Sequence, residues 1–226
     1  MAHFDVLIVG AGHAGAQLAI MLRQRKFGGT IGLVSDEPEF PYERPPLSKD
    51  YLSGEKEFER IMIRPAAFWQ ERDIDLLLNS RVVEVNPEDK QVGLADGSRL
   101  DYGSLVWAAG GNPRRLSCTG HDLAGIHYIR NRKDVDALIS ELPETHKVVV
   151  IGGGYIGLEA AAVLSKLHKQ VTVVEALDRV LARVAGPQLS EFYQEEHRAH
   201  GVDIRLATRV ECIEGRDGSV RGVRTA

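Results

Sequence analysis

The chain carries only two cysteines, Cys118 and Cys212, in 226 residues. They cannot form the disulfide framework of a small secreted domain, and no Cys-x-x-Cys pair exists for thiol redox or zinc chemistry. The eight histidines show neither a His-x-x-x-His nor a mixed Cys/His ligand spacing, so no metal site is expected. No Gly-x-Ser-x-Gly elbow occurs, which removes the usual hydrolase signal. Neither sign of charge dominates: 28 basic against 32 acidic side chains leave a net charge of −4. That balance gives no reason to expect nucleic acid or an anionic membrane as a partner. No apolar run of about 18 residues is present to span a membrane. The segment from Met1 to Asp5 leads straight into an apolar strand, with no secretory h-region. At 43% apolar and 27% charged residues, the composition is ordinary for a globular chain. The expectation is a soluble, cytoplasmic protein with room for two packed cores.

Against those absences stands an internal repeat. Val6-Leu7-Ile8-Val9 runs into Gly10-Ala11-Gly12-His13-Ala14-Gly15, and Val148-Val149-Val150-Ile151 runs into Gly152-Gly153-Gly154-Tyr155-Ile156-Gly157. After each cluster the apolar spacing becomes helical, with Ala14, Leu18, Met21 and Leu22 matched by Ile156, Ala160, Val163 and Leu164. A second apolar run follows each helix, Ile31 to Val34 and Val171 to Val174. Two strand–turn–helix–strand units imply an α/β protein with two doubly wound, Rossmann-like dinucleotide-binding domains.

Each glycine of G-x-G-x-x-G has a separate physical task. The first (Gly10, Gly152) permits the tight turn, and the second (Gly12, Gly154) lets the backbone approach a pyrophosphate. The third (Gly15, Gly157) lets helix and strand pack closely, while the helix N-terminus presents free N–H groups and its positive dipole end. Glu175 directly follows the second unit's next strand, where a carboxylate can accept both hydroxyls of an adenosine ribose. In the first copy Ser35 takes that register and Asp36 comes next; Asp36 is the ribose candidate, with a solvated loop charge as the alternative. Two such folds in one chain suggest a held flavin and an exchangeable nicotinamide cofactor.

The stretch between the repeats reads as strands at Arg81 to Asn86, Gln91 to Ala95, Arg99 to Tyr102 and Leu105 to Ala108, with a hairpin turn at Asp96-Gly97. The domain crossing is placed at Ala109-Gly110-Gly111-Asn112-Pro113, giving a flavin-binding domain over 1–113 and a nicotinamide-binding domain over 114–226. Helices are expected over Asp134 to Leu142 and Gln188 to His200, the latter capped by Gly201. Final strands are expected at Arg209 to Glu214 and Val220 to Thr225. A chain stopping at Ala226, on or just after a strand, reads as a truncated one. Trp69 and Trp107, in apolar segments, are assigned to the core. Pro45-Pro46 stiffens its loop, and Ser48 is read as the start of a short helix that presents Lys49. A proline-rich peptide site is the alternative for that segment.

The strings VLIVGAGHAG, YERPPLSKDYL (Tyr42 to Leu52), LVWAAGGNPR and VVVIGGGYIGLEAA (Val148 to Ala161) resemble the FAD-dependent NADH:ferredoxin reductases of bacterial oxygenase systems. Rubredoxin reductases and apoptosis-inducing factor share that fold. The resemblance extends over all 226 residues, although the family's chain is longer. It implies FAD and NAD as cofactors, a [2Fe–2S] ferredoxin as electron acceptor, and no nucleic acid or membrane partner. Alternatives of the same ancestry are a rubredoxin or nitrite reductase component, or a non-enzymatic NAD-sensing flavoprotein. No Cys-x-x-x-x-Cys is present for the dithiol chemistry of glutathione reductases.

By resemblance, Arg44, Pro45 and Lys49 line the flavin, and Ala14 approaches the FAD pyrophosphate. Val82 or Val83 offers backbone groups to the adenine, with a core position as the alternative. Ala109 and Gly110 border the flavin, and Arg130 reaches its polar side or else makes a surface salt bridge. Tyr155, Ile156 and Glu159 fall on the turn facing the nicotinamide, while Arg183 is either near the adenosine end of NAD or merely solvent-exposed. Lys49 and Glu159, assigned to opposite domains, are expected to pair as electrostatic tuners of hydride transfer.

Overall fold

The computed structural model describes residues 2–226 and shows two compact units. The first unit comprises the chain up to Arg44 together with Glu57–Gly111; the second comprises Pro45–Lys56 and Asn112–Ala226.

In the first unit, β1 (Ala2–Val9), α1 (His13–Gln24) and β2 (Ile31–Val34) realise the first repeat. They are followed by α2 (Ala66–Glu71), β3 (Ile74–Leu77), β4 (Val82–Asn86), β5 (Gln91–Leu94) and β6 (Arg99–Trp107). One sheet runs in the order β3-β2-β1-β6-β5-β4. The β1, β2, β3 and β6 pairings are parallel, and β4 and β5 add an antiparallel hairpin. The two strands expected at Arg99 to Tyr102 and Leu105 to Ala108 are one. Gly103 joins them because a Cβ there would stand 2.8 Å from the Asp5 carbonyl, so only glycine lets β6 run on along β1. Ile8, Ile31, Leu33, Trp69 and Ile74 pack under α1 on one face of the sheet. Phe4, Leu7, Val34, Val92, Leu100 and Tyr102 form the core on the other.

The face α1 buries is not the stripe read from the sequence. Gly15, Ala16, Ala19 and Ile20 point inward, and Ala14 is exposed. The small residues draw the helix close to the strands, and this rotates the bulkier Leu18 and Leu22 to the rim. In the second repeat Ala160 and Leu164 are buried as expected, but Leu158 and Ala161 complete the buried face, while Ile156 is 54% exposed. Arg23 closes the bottom of the unit. Its guanidinium donates to the carbonyls of Arg72 at 2.8 Å, Phe27 at 2.7 Å, Gly29 at 2.8 Å and Asp73 at 2.6 Å. A cation there satisfies carbonyls beyond the C-terminal ends of α1 and α2.

The second unit contains α3 (Arg132–Glu141), β7 (Lys147–Ile151), α4 (Tyr155–Lys166), β8 (Gln170–Val174), α5 (Pro187–Ala199) and β9 (Asp203–Arg205), then the hairpin β10 (Val210–Arg216) and β11 (Ser219–Thr225). The parallel sheet runs β7-β8-β9. Asp217 and Gly218, both with positive φ, make the tight turn of the hairpin. Helix α3 starts two residues before the expected Asp134, because Asn131 and Asp134 form a reciprocal capping box. His197 joins α5 to α4, its ring nitrogens 2.8 Å from the Tyr193 carbonyl and 3.0 Å from that of Leu158.

Residues 45–56 differ from expectation in belonging to this second unit. Pro46, Leu47, Ser48, Tyr51 and Leu52 are buried there. Tyr51 donates to Asp136 of α3 at 2.5 Å, and Lys166 at the end of α4 reaches Glu55 at 2.5 Å. Burial raises the Tyr51 phenol, and its hydrogen bond to the Asp136 carboxylate raises it further. Ser48 ends the 3₁₀ helix Pro45–Ser48 rather than starting one.

Candidate functional site

The first glycine turn sits at the C-terminal ends of β1 and β6, where a doubly wound sheet opens a crevice. Gly10 adopts φ +110°, and a Cβ on it would overlap the Ala108 carbonyl and come within 2.8 Å of the Ala109 Cα. Gly15 is equally constrained, since a Cβ would overlap the Gly10 carbonyl oxygen. Gly12 is different: nothing lies within 4 Å of its missing Cβ. It is also the N-cap of α1 and supplies no side-chain acceptor, so the first-turn amides keep their donors for a ligand. His13 opens the helix and is exposed, as is Ala14.

Around that turn the expected residues are placed as follows. Asp36 is exposed just past β2. Arg44 is half-buried and pairs with Glu37, which also accepts from Tyr42 at 2.5 Å. Burial pulls the Arg44 guanidinium down, but the Glu37 hydrogen bond and the charges of Tyr42, Glu37 and Asp36 outweigh it and hold it above its ordinary range. Ala109 and Gly110 are exposed beyond β6, with Gly110 at φ +68°. Arg81, Val82, Val83, Glu84, Val85 and Trp107 line an open groove of about 380 Å³. Val83 is 62% exposed, so it is no core residue. Trp107, assigned to the core from its apolar neighbours, is corrected too: it is 59% exposed. Strand alternation turns Val106 inward and Trp107 to the opposite face, into the groove.

The second turn is built on the same plan with different neighbours. Gly152 has φ +108° but open space where its Cβ would be, and Gly157 again sits against the first glycine's carbonyl. Gly154 caps α4 without a side chain, and its Cβ position is open, as at Gly12. Tyr155 and Ile156 on the first helical turn are about half-exposed. Glu175 is already engaged: Oε2 accepts from the Gly153 amide at 2.7 Å and Oε1 from the Leu177 amide at 2.8 Å. Each carboxylate oxygen keeps a further acceptor site for a ribose hydroxyl. Arg179 is spent on its own loop and the start of α5, donating to Ala185 O at 2.8 Å, Ser190 Oγ at 2.8 Å and Ala182 O at 3.0 Å. Arg183 on the same loop is exposed, and Arg130 is half-buried.

Lys49 Nζ lies 2.6 Å from Glu159 Oε2, so the expected pair is present, with both partners inside the second unit. The assignment to opposite domains is corrected because residues 45–56 pack on α3 and α4. Pro45 is exposed, and its carbonyl accepts from Lys49 at 3.3 Å. Sequence reasoning missed Ser48, whose hydroxyl donates to the same Glu159 oxygen at 2.6 Å. No local pattern could have revealed it, since the partner is 111 residues away. Among the described residues, no group of three or more His, Cys, Asp or Glu side chains could hold a metal ion. No helix among them is long and apolar enough to cross a membrane.

Comparisons with known proteins bear on both turns at once. The family model described as pyridine nucleotide-disulphide oxidoreductase matches residues 4–226. A ferredoxin–NAD(P)(+) reductase of a Sphingomonas species is 62% identical over 221 residues, 98% of this chain and 53% of that protein. The ferredoxin reductase subunit of 5,5′-dehydrodivanillate O-demethylase from a Sphingobium species is 60% identical, covering 100% of this chain and 55% of its own. Among solved structures, the covalent putidaredoxin reductase–putidaredoxin complex superposes with a TM-score of 0.94 at 38% identity, over 100% of this chain and 55% of that one. The chain therefore spans about half the length of the relatives it matches.

Proposed function

We propose that this chain, which belongs to the pyridine nucleotide-disulphide oxidoreductase family, works as a flavoprotein reductase that passes electrons from NADH through FAD to a small [2Fe–2S] ferredoxin serving an oxygenase. The names of its relatives support that reading. The observation that carries it is the pair of glycine turns, each with an open central glycine at an uncapped helix start and an acidic residue past the next strand. The first unit fits FAD, since the open side of Gly12, the exposed Asp36 and the Val83–Trp107 groove offer a phosphate cradle, a ribose acceptor and an apolar wall. The second fits NADH, with Glu175 for the ribose and Tyr155 and Ile156 exposed on the helix turn. Bound FAD would supply an acceptor for the hydride pair and a donor of single electrons.

The residues bind and tune; none has to move a proton. Amides at the starts of α1 and α4 would hold the pyrophosphates. Lys49 would supply a positive charge that tunes hydride transfer, and Glu159 keeps that charge from standing alone. The proposed compartment is the cytoplasm, where NADH is the reductant and the two free cysteines stay reduced. The test is a visible spectrum of the purified protein followed by rapid mixing with NADH and an oxidised [2Fe–2S] ferredoxin. Flavin bands at about 450 nm that bleach with NADH and recover with ferredoxin are expected. Protein from the full-length gene that releases no flavin on denaturation overturns the reading.

A further inference from the structure

We propose that Ser48 is a positioning residue for Glu159 in the nucleotide site of the second unit, an inference that rests on the function proposed above. Ser48 is only 4% exposed and lies among Pro46, Leu47 and Leu52, all buried. A hydroxyl in such surroundings is costly unless it is hydrogen-bonded. The alternative acceptor, the Pro45 carbonyl, is 3.5 Å away, at the limit of a useful bond. Its short bond is the one to Glu159 Oε2 at 2.6 Å.

Lys49 reaches that same oxygen, also at 2.6 Å. The two donors do different things. Lys49 is 44% exposed, and its ammonium is a point charge on a flexible stem that attracts the carboxylate without fixing its plane. Ser48 has one side-chain torsion and ends a short helix, and the segment that follows it is anchored by Tyr51 on Asp136 and by Glu55 on Lys166. Its hydroxyl therefore fixes Oε2 to the scaffold. With Oε2 taken twice, Oε1 has no protein donor among the described residues and is the acceptor left for a donor group of the bound nucleotide. Ser48 thereby decides which oxygen of Glu159 faces the ligand, and it holds Lys49 and Glu159 in register.

The test is a double-mutant cycle read as NADH affinity by calorimetric titration, with the unfolding midpoint measured on every variant. Ser48→Ala is expected to weaken NADH binding by about 5- to 10-fold, the order expected when a charge-assisted hydrogen bond is lost indirectly. In a Glu159→Ala background the same change should alter affinity less than 2-fold, because its partner is gone. Equal losses in both backgrounds, or wild-type affinity in Ser48→Ala, overturn the inference. So does a loss of affinity that merely tracks a lowered unfolding midpoint, since packing alone then accounts for it. Failure of the wild-type protein to bind NADH overturns the proposed function and this inference with it, whereas tight wild-type binding with an indifferent Ser48→Ala removes Ser48 alone.

Discussion

The two glycine turns share a motif and a backbone but not their surroundings. In the first, Gly10 is wedged against Ala108 and Ala109, because β6 lies alongside β1 and carries the chain past the turn. In the second, Gly152 keeps the same positive φ with empty space where its Cβ would be. The acidic residues differ in the opposite sense. Asp36 is exposed, whereas Glu175 is folded back onto the Gly153 and Leu177 amides. The first turn is held by backbone packing and leaves its acid exposed; the second is held partly by its own acid. One motif thus encodes two levels of preorganisation.

The largest expected effect tests that difference directly. Gly10→Ala meets both a forbidden φ and a backbone clash, so it should cost about 4 kcal/mol or more and abolish FAD retention. Gly152→Ala meets only the φ, and should cost about 1–2 kcal/mol. Denaturant titration of the two variants checks this. Equal losses would mean that crowding by Ala108 does not matter.

Each unit also has one arginine spent on carbonyls. Arg23 makes four such bonds to the Phe27–Gly29 and Arg72–Asp73 segments of the first unit, whereas Arg179 makes two within its own loop of the second, plus one to Ser190 on α5. Arg23→Ala should therefore cost about 3 kcal/mol, and Arg179→Ala about 1–2 kcal/mol, from hydrogen bonds to a charged donor. Arg23→Lys should recover little, since an ammonium cannot span that fork. Chemical unfolding would separate these outcomes.

These features divide cleanly into what the chain's pattern announced and what it could not. The glycine turns and the strands and helices that flank them were legible, because a tight turn and close helix packing leave residues little choice, whereas α2, β3 and β9 were not read. The capping box at Asn131 and Asp134 was also written in the sequence, as Asn-x-x-Asp before a helix, and was overlooked. The buried face of α1 was misjudged by about one residue, because small side chains rather than large ones set the approach to the sheet, whereas on α4 Ala160 and Leu164 of the expected stripe are buried. The allegiance of residues 45–56 was not legible at all. It depends on Ser48, Tyr51 and Glu55 finding partners on α3 and α4 far along the chain. Trp107 was misplaced because the apolar run names a strand but not which face is covered.

The acids give the next prediction. Among the described residues Asp36→Ala removes no side-chain hydrogen bond and only a charge near Arg44, so it should weaken FAD binding by about 10-fold with little change in the unfolding midpoint. Glu175→Ala should reduce kcat/KM for NADH by about 10- to 100-fold and also loosen its loop, lowering the midpoint. The wild-type protein should favour NADH over NADPH, because a 2′-phosphate would meet the Glu175 carboxylate and Arg179 is already engaged. Steady-state kinetics with both nucleotides decide this. Equal efficiency would remove Glu175 from the ribose site, and an unaltered midpoint in Glu175→Ala would remove the self-bracing half of the comparison.

The smallest effect lies at the second residue of each turn, Ala11 in the first and Gly153 in the second. Gly153 does not have positive φ, so its backbone tolerates a side chain. What opposes one is Val180, whose Cγ1 would stand 2.9 Å from the new methyl; Glu175 Oε2 would be 3.3 Å away. The loop carrying Val180 is tied to this glycine, since the Leu181 amide donates to the Gly153 carbonyl at 2.9 Å. Gly153→Ala should therefore cost about 1 kcal/mol, the scale of modest overpacking, and push Glu175 slightly off its amide. Val180→Ala alone leaves a small void and should cost a similar amount, about 1–2 kcal/mol. Together the two changes add one methyl and remove two, so the new Cβ takes the place of Val180 Cγ1 and the double variant should be more stable than the sum predicts by about 1 kcal/mol. At Ala11 the reverse change, Ala11→Gly, should cost about 0.5–1 kcal/mol through chain entropy alone. Additive losses at Gly153 and Val180 would show that this glycine is dictated by turn geometry, and the two turns would then differ less than their neighbours suggest.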